Sequence, residues 1–323
     1  MIFEDFKNSL PSIKMNNPAK SKKDEQCNFD PYSILCENGL IGNDIIIQNH
    51  SSCVLTGFYH EHTPALIKIV NRTDNFSEER ELSILKTLNG KKHIVQLYDC
   101  ILKHQYGIFV FQKVDAIPGV NILTKSLSLE NVRFLLRGVL EALSEAHKND
   151  IIHRDVTFEN ILVSPNFDEV YLINWDTATK IKEHMSSTIG SRSIRSPEML
   201  MGFDGYRNKA DVWAFGVLIL SIISDGRIPW KSDNPKETLI EMAAFFGAQN
   251  LLNLEKTLHK RFAVKSLRKH VNDMIIPLET SLSPNHANLD NKDLMDLLHK
   301  CFILDFRLRP SVSDLLNHEF FKS

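Results

Sequence analysis

Apolar residues between positions 45 and 70 come in short, β-rich runs: Ile45-Ile46-Ile47, Cys53-Val54-Leu55 and Ala65-Leu66-Ile67-Lys68-Ile69-Val70. Polar turns such as Asn49-His50-Ser51-Ser52 break them, which predicts successive strands. The period then changes. Leu82, Leu85 and Leu88 share one helical face, Ile84 widens it, and Asn89-Gly90 ends it, with Gly90 suited to a left-handed cap. Two more strand signals follow, Ile94-Val95-Gln96-Leu97 and Ile108-Phe109-Val110-Phe111. Beyond residue 115, Val132, Leu135, Leu136, Val139 and Leu143 keep a helical period. Two short runs, Ile161-Leu162-Val163 and Val170-Tyr171-Leu172-Ile173, bracket a turn at Pro165-Asn166, and helices and loops are predicted from Ser196 onward. The longest apolar run, Val212 to Ser224, lies between Asp211 and Asp225 and predicts a buried helix rather than a membrane span. Residues 1–35 are polar and irregular, with Pro11, Pro18 and Lys20-Ser21-Lys22-Lys23, and read as a tail.

Composition narrows the class. A chain of 323 residues is long enough for two lobes, and 43% hydrophobic with 24% charged residues is ordinary for a globular protein. A net charge of −2 provides no global pull toward nucleic acid or membrane. The five cysteines include no C-x-x-C, which argues for a reducing, intracellular compartment and against a zinc site. Met1-Ile2-Phe3-Glu4-Asp5 has acids where a secretory leader needs bases, so no signal peptide is expected.

The candidate chemistry centres on His153-Arg154-Asp155-Val156-Thr157-Phe158-Glu159-Asn160. Phosphoryl transfer needs positioning and charge more than covalent help. Asp155 and Asn160 are spaced to orient a hydroxyl and to hold a metal from one tight loop. This stretch resembles the catalytic loop of eukaryotic Ser/Thr protein kinases. Three further motifs, each at family spacing, extend the resemblance over about residues 40–323. Ser196-Pro197-Glu198 resembles A-P-E, Asp211-Val212-Trp213-Ala214-Phe215-Gly216 resembles D-x-W-x-x-G, and Arg309 falls where a kinase pairs that glutamate. Gly190-Ser191-Arg192-Ser193-Ile194-Arg195-Ser196-Pro197-Glu198 is similar to the branch of cell division control protein 7, and Arg80 through Leu97 is similar to casein kinase 2.

The resemblance implies an α+β, bilobal kinase domain over residues 36–323. A β-rich N-lobe with one main helix (36–111) leads through a hinge (112–114) to a mainly helical C-lobe (115–323). It implies ATP and Mg as cofactors, with Lys68 paired to Glu81 and joined by Ile46 and Val54 at the nucleotide. Asp155 is the implied catalytic residue, Asn160, Asn174 and Asp176 the metal candidates, and Arg192 and Arg195 the readers of acidic Ser/Thr substrates. A regulatory activator subunit, a nuclear location and a role in DNA replication initiation are implied by the first branch. No direct nucleic-acid or membrane partner is expected. A second basic stretch, His259-Lys260-Arg261 with Lys265, Arg268 and Lys269, reads as a solvated helix face or an acidic-partner dock.

Three departures oppose full activity. The positions of the glycine-rich loop hold Ile47, Asn49 and Ser52, Thr157 replaces a lysine, and the metal-binding D-F-G reads Asn174-Trp175-Asp176. Loss of the metal carboxylate favours the alternative of a pseudokinase scaffold that binds partners without turnover.

Overall fold

The computed structural model describes residues 29–48, 52–60, 62–72, 77–123, 127–259, 265–284 and 290–322. The N-terminal basic cluster, Asn49, and Lys260 and Arg261 of the second basic stretch lie outside them. The chain divides into two compact units, residues 1–90 with 94–117, and residues 91–93 with 118–323. Among the described residues no helix is long and apolar enough to cross a membrane.

The first unit is an antiparallel sheet of β1 (Ile41–Gln48), β2 (Ser52–Tyr59), β3 (Thr63–Asn71), β4 (Leu97–Leu102) and β5 (Tyr106–Gln112), in the order β1-β2-β3-β5-β4. Side chains alternate across a strand, so each strand offers one residue set to each face. One face carries Cys53, Leu55, Ala65, Ile67, Ile69, Ile108 and Val110, all fully buried. Helix α1 (Pro31–Glu37) supplies Ile34 and Leu35 to the same core cluster. The other face carries Val54, Lys68 and Phe109, which are register partners across β2, β3 and β5. Helix α2 (Ser77–Leu88) buries Glu81, Ile84, Leu85 and Leu88.

Three sequence expectations shift here. Residues 31–35, expected in the tail, form most of α1, because Asp30 caps the Tyr32 N–H and Pro31 starts the turn. The strand expected at 94–97 begins only at Leu97 and runs to Leu102, through half-buried Tyr98 and Cys100 and exposed Asp99, which breaks the apolar run. Strand β5 continues through Gln112, and the first unit through Ile117, past the expected hinge.

The second unit is mainly helical. α3 (Leu129–His147) starts at Ser128, whose hydroxyl accepts from the Asn131 N–H, and buries Val132, Leu135, Leu136, Val139 and Leu143. Gly138 lets α3 approach the short strand pair β7 (Ile161–Val163) and β8 (Val170–Leu172), since a Cβ there would sit 2.8 Å from Val170. A second pair joins β6 (Ile151–Ile152) to β9 (Thr179–Lys180). α4 (Pro197–Leu200) is short, and α5 (Lys209–Ile223) is buried from Ala210 to Ile223, apolar on all sides as an internal helix must be. The apolar run at 212–224 is therefore a core helix.

Candidate active site

In the first unit the sheet and α2 bring Lys68 to Glu81. Nζ lies 2.8 Å from Oε1, with the side chains 17% and 5% exposed. Removing either partner would strand the other charge, which is why such pairs persist. Val54 and Phe109 flank Lys68 across the sheet, and the Phe109 ring centre lies 5.8 Å from Nζ. Ile46 falls at the register shift between Ile45 and Ile47.

In the second unit Asp211, fully buried at the start of α5, anchors the catalytic loop. Its Oδ2 accepts from the His153 N–H and His147 Nε2, both at 2.9 Å, and Oδ1 accepts from the Arg154 N–H at 2.8 Å. Burial alone would raise this carboxyl, but the His147 bond and the Arg154 N–H hold it below its ordinary range. The anchoring supports Arg154 in a left-handed conformation, φ 69°. The Arg154 guanidinium, 7% exposed, donates through Nε to Thr177 O at 2.7 Å and through Nη1 to the Tyr206 hydroxyl at 3.4 Å. Tyr206 in turn donates to Ser186 O at 2.7 Å.

His153 takes one tautomer. Its Nδ1 accepts from the Asp155 N–H at 3.2 Å, so Nε2 carries the proton and donates to Ile173 O at 3.1 Å. Complete burial pushes its pKa below the ordinary value, despite the pull of Asp211, the Ile173 carbonyl, Asp155 and Asp176. Trp175 meets the ring edge-on, with centroids 4.6 Å apart.

These contacts set the backbone from which Asp155 projects. Its Oδ2 accepts from Asn160 Nδ2 at 2.8 Å, and the same nitrogen reaches Asp155 O at 2.8 Å. Its Oδ1 accepts from the Ser191 N–H at 2.8 Å. The last bond depends on Gly190, at φ 76°, where a Cβ would sit 2.1 Å from Arg154 O. Asn160 Oδ1 accepts from Asn174 Nδ2 at 3.1 Å, and Asn174 sits at φ 63°, a region asparagine tolerates.

Two of the three metal candidates thus meet each other. As arranged they make a poor magnesium site: the pair contributes no carboxylate, and an N–H occupies one of the two acceptor positions of the Asn160 oxygen. Asp176 Oδ1 is closed off from solvent, and its charge acts on His153.

The arginines expected to read substrate divide. Arg195 donates through Nε to Ile189 O at 3.1 Å and Gly190 O at 3.2 Å, and through Nη2 to Gly190 O at 2.7 Å and to Thr188 O, so it braces the segment beside Asp155. Arg192 is more exposed and pairs with Asp233 at 3.2 Å. Arg309 and Glu198 form a two-pronged pair at 3.0 and 3.1 Å, both 0% exposed, with Arg309 also donating to Lys209 O and Ile303 O. Sequence reasoning missed the Ser191 N–H and Tyr206. A backbone donor leaves no side-chain signal, and Tyr206 stands outside the motifs that marked the other residues.

The protein kinase domain family model matches residues 49–321. A probable casein kinase II subunit alpha homolog of Encephalitozoon cuniculi is 26% identical over 248 residues, covering 76% of this chain and 76% of that protein. Casein kinase II subunit alpha' of Saccharomyces cerevisiae is 23% identical over 264 residues, covering 80% and 77%. A probable serine/threonine-protein kinase of Dictyostelium discoideum is 25% identical over 267 residues, covering 80% of this chain and 43% of its own length. With a buried Glu198–Arg309 pair, an Asp211-anchored loop and a Lys68–Glu81 pair in a chain matched over nearly all of its described length, the protein belongs to the protein kinase domain family.

Proposed function

We propose that the chain is a Ser/Thr protein kinase that moves the γ-phosphoryl group of ATP to a protein hydroxyl. The seating of Asp155 carries this reading. Both carboxylate oxygens are held, one by the Ser191 N–H and one by Asn160, so the group is oriented before substrate arrives. A carboxylate has roughly four acceptor positions, which leaves room for the substrate hydroxyl. In the transfer, Asp155 takes the hydroxyl proton. The hydroxyl oxygen bonds to the γ-phosphorus as the bond from phosphorus to the β-bridging oxygen breaks and ADP leaves. Lys68, held by Glu81, offers its ammonium to the α and β phosphates, and Ile46 and Val54 offer apolar contact to the base. The usual magnesium of the family is assigned no step, because Asn160 and Asn174 make a poor site for it.

Arg192, in an exposed pair of the kind worth little in water, can exchange Asp233 for an acidic residue following the target Ser or Thr. Arg195 places a second positive charge beside it. Acidic targets rest on the likeness of residues 80–97 to casein kinase 2 and of residues 190–198 to cell division control protein 7. A replication role, an activator subunit and a nuclear location rest on the likeness of residues 190–198 to cell division control protein 7.

A partner-binding scaffold is the second reading, favoured by Thr157 and by the neutral Asn174. Labelled γ-phosphate ATP and a panel of Ser, Thr and Tyr peptides, with and without acidic residues after the target, separate the two. Label on Ser and Thr, strongest on acidic peptides, is the expected result. ATP binding without transfer to any peptide overturns the enzyme reading.

A further inference from the structure

The Asn160 amide can face only one way. Its nitrogen lies 2.8 Å from both Asp155 O and Asp155 Oδ2, and a carbonyl there would meet two acceptors. Its oxygen therefore faces Asn174, whose own amide must present the nitrogen found 3.1 Å away. An aspartate at 174 could not make this bond. Its carboxylate would face another oxygen at about hydrogen-bond distance, an arrangement that repels unless a cation lies between.

We infer that the Asn174 N–H does the work of a bridging cation, tying residue 174 to Asn160 and so to Asp155, and that nucleotide binding by this protein does not depend on divalent metal. The inference rests on the reading of this site as a nucleotide site. A second departure agrees with it in charge. Relative to the family pattern, Asn174 removes one negative charge and Thr157 removes one positive charge. The net charge of the two motifs together is thus kept while both the metal carboxylate and the phosphate-facing lysine are gone.

The test is thermal unfolding and ATP titration of the full chain in EDTA and in Mg2+, for the wild type, Asn174→Asp and Asn174→Gly. The wild type is expected to bind ATP with a Kd differing by less than about threefold between the two conditions. Its nucleotide-free Tm is expected to ignore Mg2+. Asn174→Asp tolerates the same backbone region. It is expected to unfold at lower temperature in EDTA, to recover in Mg2+, and to bind ATP about tenfold or more weakly when Mg2+ is withheld. Asn174→Gly keeps the backbone and loses the amide, so it should be less stable in both conditions and gain nothing from Mg2+. Wild-type binding that requires Mg2+ and is lost in Asp176→Ala would hand the cation to Asp176 and overturn the inference. An Asn174→Asp protein indifferent to Mg2+ would overturn it as well. The nucleotide-free Tm readings need no phosphoryl transfer, so a failure of kinase activity leaves them decisive.

Discussion

The polar groups around Asp211 and Arg309 and those around Asp155 and Asn174 are both closely hydrogen-bonded, but to different ends. Asp211, Glu198 and Arg309 are sealed, and every bond they make runs to the protein itself. The Asp155 cluster is bonded inward on one side, through Asn160, Asn174 and Ser191, with acceptor capacity remaining. A sealed charge cannot lose its partner cheaply, so the first group follows the family's residue types without exception. The second group is paired through bonds that a different residue can supply, and there the family pattern is broken twice, at Thr157 and Asn174. The protein keeps these three sealed residues and re-pairs its chemistry.

Replacing one member of the sealed pair should break this contrast most severely. Glu198→Ala leaves Arg309 buried and without its carboxylate, and should cost about 3–5 kcal/mol in urea unfolding. Gly190→Ala should come next. It forces a side chain into φ 76° with a Cβ 2.1 Å from Arg154 O, so the segment must shift. The expected cost is about 1–3 kcal/mol in stability. Because the shift lifts the Ser191 N–H from Asp155, transfer should fall about a hundredfold.

Acid separates the regions by pH. The pKa of buried His153 is depressed from an ordinary value of 6.5, so it stabilises the fold above that pH, and the contribution is lost as pH falls and the unfolded chain takes the proton. The slope is about 1.4 kcal/mol per pH unit for the one proton. Asp211, depressed from 3.8, contributes above that value and loses its contribution only in stronger acid. Urea unfolding from pH 7.5 to 5.5 should show the first loss, and His153→Gln should flatten it.

The two regions were also unequally legible in the amino-acid sequence. Glu198, Arg309 and Lys68 with Glu81 could be read from spacing, because a buried charge needs a fixed residue type at a fixed place. Helix α1 was hidden because seven residues are too few to establish a helical period, and β4 because Asp99 interrupts its apolar residues. At Asn174 the missing carboxylate was visible but the gained donor was not, since its value depends on which way the Asn160 amide faces. Arg195 was legible as a charge, while its use on the carbonyls of residues 188–190 depends on the path of the backbone.

The smallest change in stability should accompany the largest change in chemistry, at Asp155. Asn in its place keeps one oxygen for the Ser191 N–H and turns an N–H toward Asn160 Nδ2, which keeps its bond to the residue 155 carbonyl, so unfolding should change by only about 1 kcal/mol. The decisive measurement is phosphoryl transfer to an acidic Ser peptide by Asp155→Asn beside the wild type, with the Tm of both recorded. The account predicts transfer by the wild type, none by the variant, and nearly equal Tm values. Equal transfer by the two proteins would contradict it, because Asp155 would then not be the group that takes the proton.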